Sequence, residues 1–270
     1  MPVDHYENFP VASWLLPRAL RAPIEAIYAF ARGADDIADE GAASDEERMA
    51  GLTRFSKALD VIEAGGTPTE EPFVRLAPVI RDHKLPIALF RDLIDAFAQD
   101  VVRKRYRDFT ELLEYCRRSA NPIGRLLLHL FRHTDHESLR CSDAICSSLQ
   151  LINFWQDVEV DWAKGRVYIP MEDLARFGVD EAAIGRGDTS GAWKDLMAFE
   201  CERARGLLVS GNPLGRTLPG RAGLEIRTII AGGGRILDKI DAVQGDVFGH
   251  RPMLGVTDWI AILSRAMFSR

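Results

Sequence analysis

Apolar residues recur at spacings of three and four along nearly the whole chain, and the two-residue alternation of half-buried strands is scarce. Ile24, Ile27, Tyr28, Ala31 and Ala34, for example, keep one helical face. Punctuation agrees with that period. Pro23 and Pro86 suit helix starts, Ser44 with Glu47 reads as a capping box, and Asp108 with Glu111 caps a further helix. Gly65-Gly66 ends the helix that Ser44 opens, and residues 67–72 form a loop. A strong helix is expected from about Ser138 to Trp162, broken by Lys164-Gly165-Arg166. Two more follow, around Ala192–Val209 and Gly220–Val243. No repeat, low-complexity tract or shift of composition divides the 270 residues, so the reading is a single all-α domain spanning 1–270.

Charge narrows the choice of function. Lys plus Arg number 34 against 40 Asp plus Glu, a net charge of −6, which leaves no basic footprint for nucleic acid. An acidic protein that handles an anionic substrate must bring in positive charge locally, and metal ions are the usual means. Cys116, Cys141, Cys146 and Cys201 form no C-x-x-C pair, and no basic-then-apolar leader opens the chain, so a reduced, cytoplasmic protein is expected. No apolar run reaches the ~18–20 residues needed to span a bilayer. Membrane contact is therefore peripheral if it occurs. The segment Trp259-Ile260-Ala261-Ile262-Leu263 with Arg265, Met267, Phe268 and Arg270 is its candidate, against the plainer reading of a last helix packed on the core.

Two acidic motifs carry the chemistry. In Arg32-Gly33-Ala34-Asp35-Asp36-Ile37-Ala38-Asp39-Glu40, Asp35 and Asp39 lie about one turn apart on one face. Like charges at that spacing destabilise a bare helix, and acids at a helix C-terminus oppose its dipole. In Gln150-Leu151-Ile152-Asn153-Phe154-Trp155-Gln156-Asp157-Val158-Glu159-Val160-Asp161, the residues Asn153, Asp157 and Asp161 follow at i, i+4 among apolar neighbours. Carboxylates set in such a helix must be paired or metal-bound. Facing helices of this kind can form an all-oxygen cage suited to Mg²⁺, which takes further ligands from substrate phosphates. The metal then neutralises a diphosphate leaving group. The alternative is a buried hydrogen-bond network between these acids and arginines. Lys164-Gly165-Arg166-Val167-Tyr168-Ile169-Pro170 offers cations to clamp phosphate oxygens, and Arg32 is a similar candidate.

Other features are given structural readings. His129, His133 and His136 have zinc-like spacing but no evident supporting partner. Gly232-Gly233-Gly234 lacks the strand and glycine order of a dinucleotide loop, and suits close helix packing. The cysteines read as core residues.

At these motifs the sequence resembles the squalene and phytoene synthase family, the head-to-head prenyl synthases. The resemblance runs from Pro17 and Ala26-Ile27-Tyr28-Ala29-Phe30 through Asp35-Asp36-x-x-Asp39, Tyr115-Cys116 and Asp157-x-x-x-Asp161 to Arg166-x-Tyr168-Ile169-Pro170. It implies the isoprenoid synthase fold, with both acidic motifs facing each other across a deep apolar cavity, and three Mg²⁺ ions. It also implies that Tyr115 lies near the reacting centre and that Gln150 and Asn153 accompany the second motif. Tyr28, Phe9 and Phe30 join Tyr115 and Phe154 as candidates to line the substrate, ring faces stabilising a carbocation.

Three departures from the family pattern point within it. Tyr6-Glu7-Asn8-Phe9 stands where the family has Ser-Lys-Ser-Phe, Gln156 replaces an arginine, and Ala120-Asn121-Pro122-Ile123-Gly124 replaces Ala-Gly-x-x-Gly. Together with Glu7-Asn8-Phe9-Pro10-Val11-Ala12-Ser13-Trp14 and Asn153-Phe154-Trp155-Gln156-Asp157-Val158, they resemble the bacterial hydroxysqualene synthase branch of hopanoid-type squalene biosynthesis. That branch implies presqualene diphosphate as substrate, hydroxysqualene as product, and other enzymes of the squalene pathway as partners. An enzyme holding one diphosphate needs fewer phosphate ligands than one that condenses two prenyl diphosphates into presqualene diphosphate, squalene or phytoene. No NADPH site is readable, which counts against a complete squalene synthase. A non-catalytic helical scaffold and a metal-dependent hydrolase are the remaining readings.

Overall fold

A computed structural model describes residues 17–249 and 251–268 of the protein. Its helices are α1 (Arg18–Asp39), α2 (Asp45–Glu63), α3 (Phe73–His83), α4 (Ile87–Val102), α5 (Phe109–Ser119), α6 (Asn121–Phe131) and α7 (His136–Gln156). They continue as α8 (Val158–Ala163), α9 (Met171–Phe177), α10 (Glu181–Gly185), α11 (Gly191–Ser210), α12 (Leu214–Thr217), α13 (Gly220–Ala242) and α14 (Val256–Phe268). Among the described residues no strand forms, and one isolated bridge joins Arg105 to Val167. The all-α reading holds.

Local signals set most boundaries. Ser44 accepts the Glu47 amide while Glu47 accepts the Ser44 amide at 2.8 Å, a complete capping box. Asp108 accepts the Glu111 amide at 2.8 Å and opens α5. Pro23 does not start its helix. Residues 18–22 are good helix formers and extend α1 back to Arg18, so Pro23 lies inside it and lacks the N–H that would reach the Ala19 carbonyl.

Packing divides into two apolar clusters. One gathers Phe30, Leu52, Leu59, Leu76 and Phe90 from α1 to α4, the other Trp155, Trp193, Leu196 and Ile236 from α7, α11 and α13. Helix α4 contributes Leu93 to the first and Ala96 to the second, so its C-terminal end reaches the seam between them. Gly233 lets α13 close on α7 and α11, since a Cβ there would lie 3.0 Å from Leu149 and 3.3 Å from Ile152 and Leu208. That is the packing role expected of the glycine run.

The last helix shows both faces expected of its segment. Ile262 and Ala266 are buried against α13, and Asp258 is held by Arg235 and Lys239 at 2.7 and 2.8 Å. Val256, Ile260, Leu263 and Met267 lie outward on the opposite face. No described helix is long and apolar enough to cross a membrane.

Away from the acidic motifs, Glu200 of α11 is fully buried beside Asp173 of α9. Arg203 serves both, at 2.5 Å from Asp173 and 3.6 Å from Glu200. Burial, reinforced by the Asp173 charge, lifts the Glu200 carboxyl from 4.5 to about 8. The folded chain thus holds this proton more tightly than the unfolded chain. Its stabilising share is complete below pH 4.5 and is lost as pH rises through about 8. Glu200→Gln is expected to flatten that fall. In melts across this range the variant should lose Tm less steeply than wild type, by on the order of a few °C at the alkaline end. Parallel curves would contradict the assignment.

Candidate active site

Two extended segments build the site's frame. The Val167 amide donates to the Lys104 carbonyl at 3.0 Å, Met171 to Tyr106 at 2.9 Å and Glu172 to Arg107 at 3.0 Å. Gly165 makes the turn that permits this, with φ of +74°, a conformation that costs a side-chain-bearing residue. Arg105 staples the turn from outside, donating to the Gly165 carbonyl at 2.6 Å and to Glu181 at 2.8 Å. The basic loop anticipated from sequence is therefore fixed, and it directs Lys164 and Arg166 onto the end of α1.

There both cations bind the Asp39 carboxylate, one on each oxygen. Burial alone would raise this carboxyl, but Lys164 and Arg166 outweigh it and hold it below the usual range. One turn earlier Arg32 hydrogen-bonds Asp35 at 3.0 Å and forms an ion pair with Asp36 at 2.8 Å. Burial still lifts Asp35 to about 6, with Arg32 opposing and Asp39 and Asp36 reinforcing. The unfavourable helix end is relieved by Arg48 of α2, which caps the carbonyls of Ile37, Glu40 and Gly41 at 3.0–3.1 Å.

The second motif is not one unbroken helix. Helix α7 ends at Gln156, Asp157 takes a non-helical φ of −104° and ψ of 15°, and α8 starts at Val158. The i, i+4 order survives the break, because Asp157 N–H still bonds the Asn153 carbonyl at 2.9 Å and Asp161 N–H the Asp157 carbonyl at 2.8 Å. Arg251, from the segment before α14, takes both Asp157 oxygens through Nε and Nη2. Asp161 receives no such fork. Burial and the neighbouring Asp157 charge raise it to about 7, against Arg166 and Lys164. Arg166 joins the two motifs, its amide donating to the Asp161 carbonyl at 2.8 Å and its guanidinium pairing with Asp39.

Beneath them lies an aromatic floor with a carboxyl in it. Asp100, buried at the end of α4, accepts the Tyr115 hydroxyl at 2.5 Å and the Tyr168 hydroxyl at 3.4 Å. Burial pushes Asp100 up to about 6, the Tyr115 bond opposing. Tyr168 stacks on Phe154 at 3.7 Å and on Tyr106 at 5.7 Å, with Tyr115 within 6.1 Å of Phe154. A small enclosed cavity, about 10 Å³ in volume, is lined by Phe154, Tyr168, Asp161 and Arg166, joining acids and rings.

The structure thus brings together Arg32, Asp35, Asp39, Tyr115, Asp157, Asp161, Lys164, Arg166 and Tyr168. Tyr28, Gln150 and Asn153 are half-buried on the motif helices, Tyr28 two turns before Asp35 and Gln150 two turns before Asp157. Phe30 is elsewhere. It is fully buried with its ring against Phe90 at 5.2 Å, Phe55 at 5.7 Å and Phe73 at 5.8 Å, because its side of α1 faces α2–α4. Phe9 lies outside the described residues. Sequence reading missed Asp100 and Arg251. Asp100 gave no distinct signal, since the same helix also carries Asp92 and Asp95. Arg251 had none, since only the fold brings it to Asp157.

The donors that the two motifs present are carboxylate and amide oxygens. Burial, above all, raises Asp35 and Asp161, against the pull of Arg32, Lys164 and Arg166. Hard oxygen donors of this kind fit Mg²⁺. Among the described residues no three acid, histidine or cysteine side chains converge tightly enough to hold an ion alone. The three histidines noted above form no such group either.

Facing acidic motifs, a fixed basic loop and an aromatic floor define a helical site for a polyanion attached to an apolar body. The chain belongs to the squalene/phytoene synthase family, whose sequence pattern matches residues 3–258. It is 36% identical to the hydroxysqualene synthase of Rhodopseudomonas palustris over 86% of this chain and 78% of that protein. It is also 36% identical to the phytoene synthase of Mycobacterium bovis, over 73% of this chain and 65% of that protein, just under two thirds of its length. Squalene synthase HpnC from Alicyclobacillus acidocaldarius superposes with a TM-score of 0.83 at 37% identity, covering 89% of this chain and 90% of that one. The isoprenoid synthase fold expected from sequence is the fold observed.

The two tyrosines should be unequal. Tyr115→Phe removes the short donor to a buried carboxyl and is expected to cost about 1–3 kcal/mol in urea unfolding. Tyr168→Phe, which loses only the 3.4 Å contact, should cost clearly less. Equal costs would contradict this geometry.

Proposed function

We propose that this enzyme ionises presqualene diphosphate, rearranges the resulting cation and captures one water, releasing hydroxysqualene and diphosphate. On this reading Lys164, Arg166, Arg32 and Arg251 exchange carboxylate partners for phosphate oxygens as substrate arrives. Asp35, Asp39, Asn153, Asp157 and Asp161 would hold Mg²⁺. Bound there, the metal supplies charge neutralisation of the departing diphosphate. The C–O bond breaks with its electron pair leaving on diphosphate. The cyclopropylcarbinyl cation rearranges against the faces of Tyr115, Phe154 and Tyr168. Asp100 accepts the Tyr115 hydroxyl and so polarises that ring toward the cation. Water then forms the new C–O bond, and its proton passes to diphosphate.

The observation that carries this choice is Gln156. It is 1% exposed, and its amide donates to the Pro252 carbonyl at 2.5 Å, so position 156 presents no charge to the site. A site for one diphosphate needs less cation than a site for two. The reading would make the enzyme a carbon–oxygen lyase of squalene and hopanoid biosynthesis. The second reading, a prenyltransferase condensing two prenyl diphosphates, is supported by equal identity to the M. bovis phytoene synthase.

Product analysis by gas chromatography and mass spectrometry separates them. With Mg²⁺, hydroxysqualene is expected from presqualene diphosphate and nothing from farnesyl diphosphate. Presqualene diphosphate or a hydrocarbon formed from farnesyl diphosphate would establish the condensing reading instead. Asp39→Asn and Asp161→Asn should each lower turnover by about 10²-fold or more.

A further inference from the structure

The segment between α13 and α14 crosses the second acidic motif in antiparallel order. Gln156 Nε2 donates to the Pro252 carbonyl, Arg251 grips Asp157, and the Gly249 amide donates to Glu159 at 2.8 Å. Both ends of this strap are fixed. Val247 is buried and Phe248 lies 5.1 Å from the Trp193 ring, while the Gly255 amide bonds Asp258 at 2.7 Å. Between those anchors, Gln156 holds the strap's backbone from the protein interior. Proline has no N–H, so its carbonyl is the one backbone group that residue 252 can offer.

We infer that Gln156 is a positioning residue for the anionic end of the substrate, acting through the strap that carries Arg251. Gln156 itself is too deeply buried to meet a ligand. The Arg251 side chain is 15% exposed, and its planar fork, which here matches a carboxylate, matches a phosphate equally well. Neighbouring residues therefore divide the work: Gln156 sets where the strap lies, and Asp157 receives the guanidinium that the strap delivers. The inference rests on the prenyl-diphosphate reading above.

The test is a double-mutant cycle on calorimetric binding of inorganic diphosphate with Mg²⁺, paired with hydrogen exchange of the strap amides. Gln156→Met keeps length and apolar packing and removes the donor. It is expected to weaken diphosphate binding about tenfold, and Arg251→Met by as much. The double variant should be little weaker than either single one, because both remove the same contact. Exchange at the Gly249 and Arg251 amides should rise in Gln156→Met while core amides of α11 and α13 stay protected. Glu159→Ala loosens the strap from the exposed side and should move both readouts the same way, which keeps the test open if the buried substitution fails to fold. Losses that add, or strap amides that do not change, overturn the inference. A wild-type chain that binds no diphosphate overturns the prenyl-diphosphate reading and this inference together.

Discussion

Asp39 sits where the rest of the site meets, because two cations from one loop converge on its carboxylate. That contact ties the end of α1 to the turn after α8, elements more than a hundred residues apart in sequence. It also sets the electrostatic balance around it. Asp39 is held ionised by Lys164 and Arg166, and its charge then helps to raise Asp35, Asp161 and Asp100. A buried carboxylate with two cations is satisfied, but its neighbours are left short.

The frame makes this arrangement possible. Backbone bonds between residues 104–107 and 167–172 hold the basic loop at a fixed height over the aromatic floor. The same register stacks Tyr168 on Phe154 and brings its hydroxyl to Asp100. Acids and cations thus occupy one layer and rings the next. A diphosphate joined to an apolar chain is the ligand whose two ends match those layers. The arginine network that sequence reading kept as an alternative to a metal cage is present, since Arg32, Arg166 and Arg251 all bind motif acids.

Local chemistry was legible and long-range placement was not. The capping box at Ser44, the N-cap at Asp108, the loop at residues 67–72 and both acidic motifs are written in short spacings that a helix converts directly into geometry. The break at Asp157 has no glycine or proline to announce it and coincides with a tertiary contact to Arg251. Phe30 has the composition of a substrate-lining residue, yet the face it occupies is decided by α2–α4 packing, which periodicity alone cannot orient. Asp100 shares its helix with Asp92 and Asp95, and spacing alone does not single it out. Its role emerges only when α5 and the 168 loop bring two phenols to it. Lys164 and Arg166 were found because they follow the second motif in sequence, whereas Arg251 reaches the same site by folding.

The most direct measurement is the melting temperature of the purified chain with Mg²⁺ and a thiodiphosphate analogue of farnesyl diphosphate that resists ionisation. Ligand binding to the folded state alone raises stability by mass action. The account predicts a clear rise when metal and analogue are present together, a smaller one with either alone, and loss of the joint effect in Asp39→Asn and Asp161→Asn. No rise with the pair, or a rise undiminished in those variants, would contradict a diphosphate site built from the two acidic motifs.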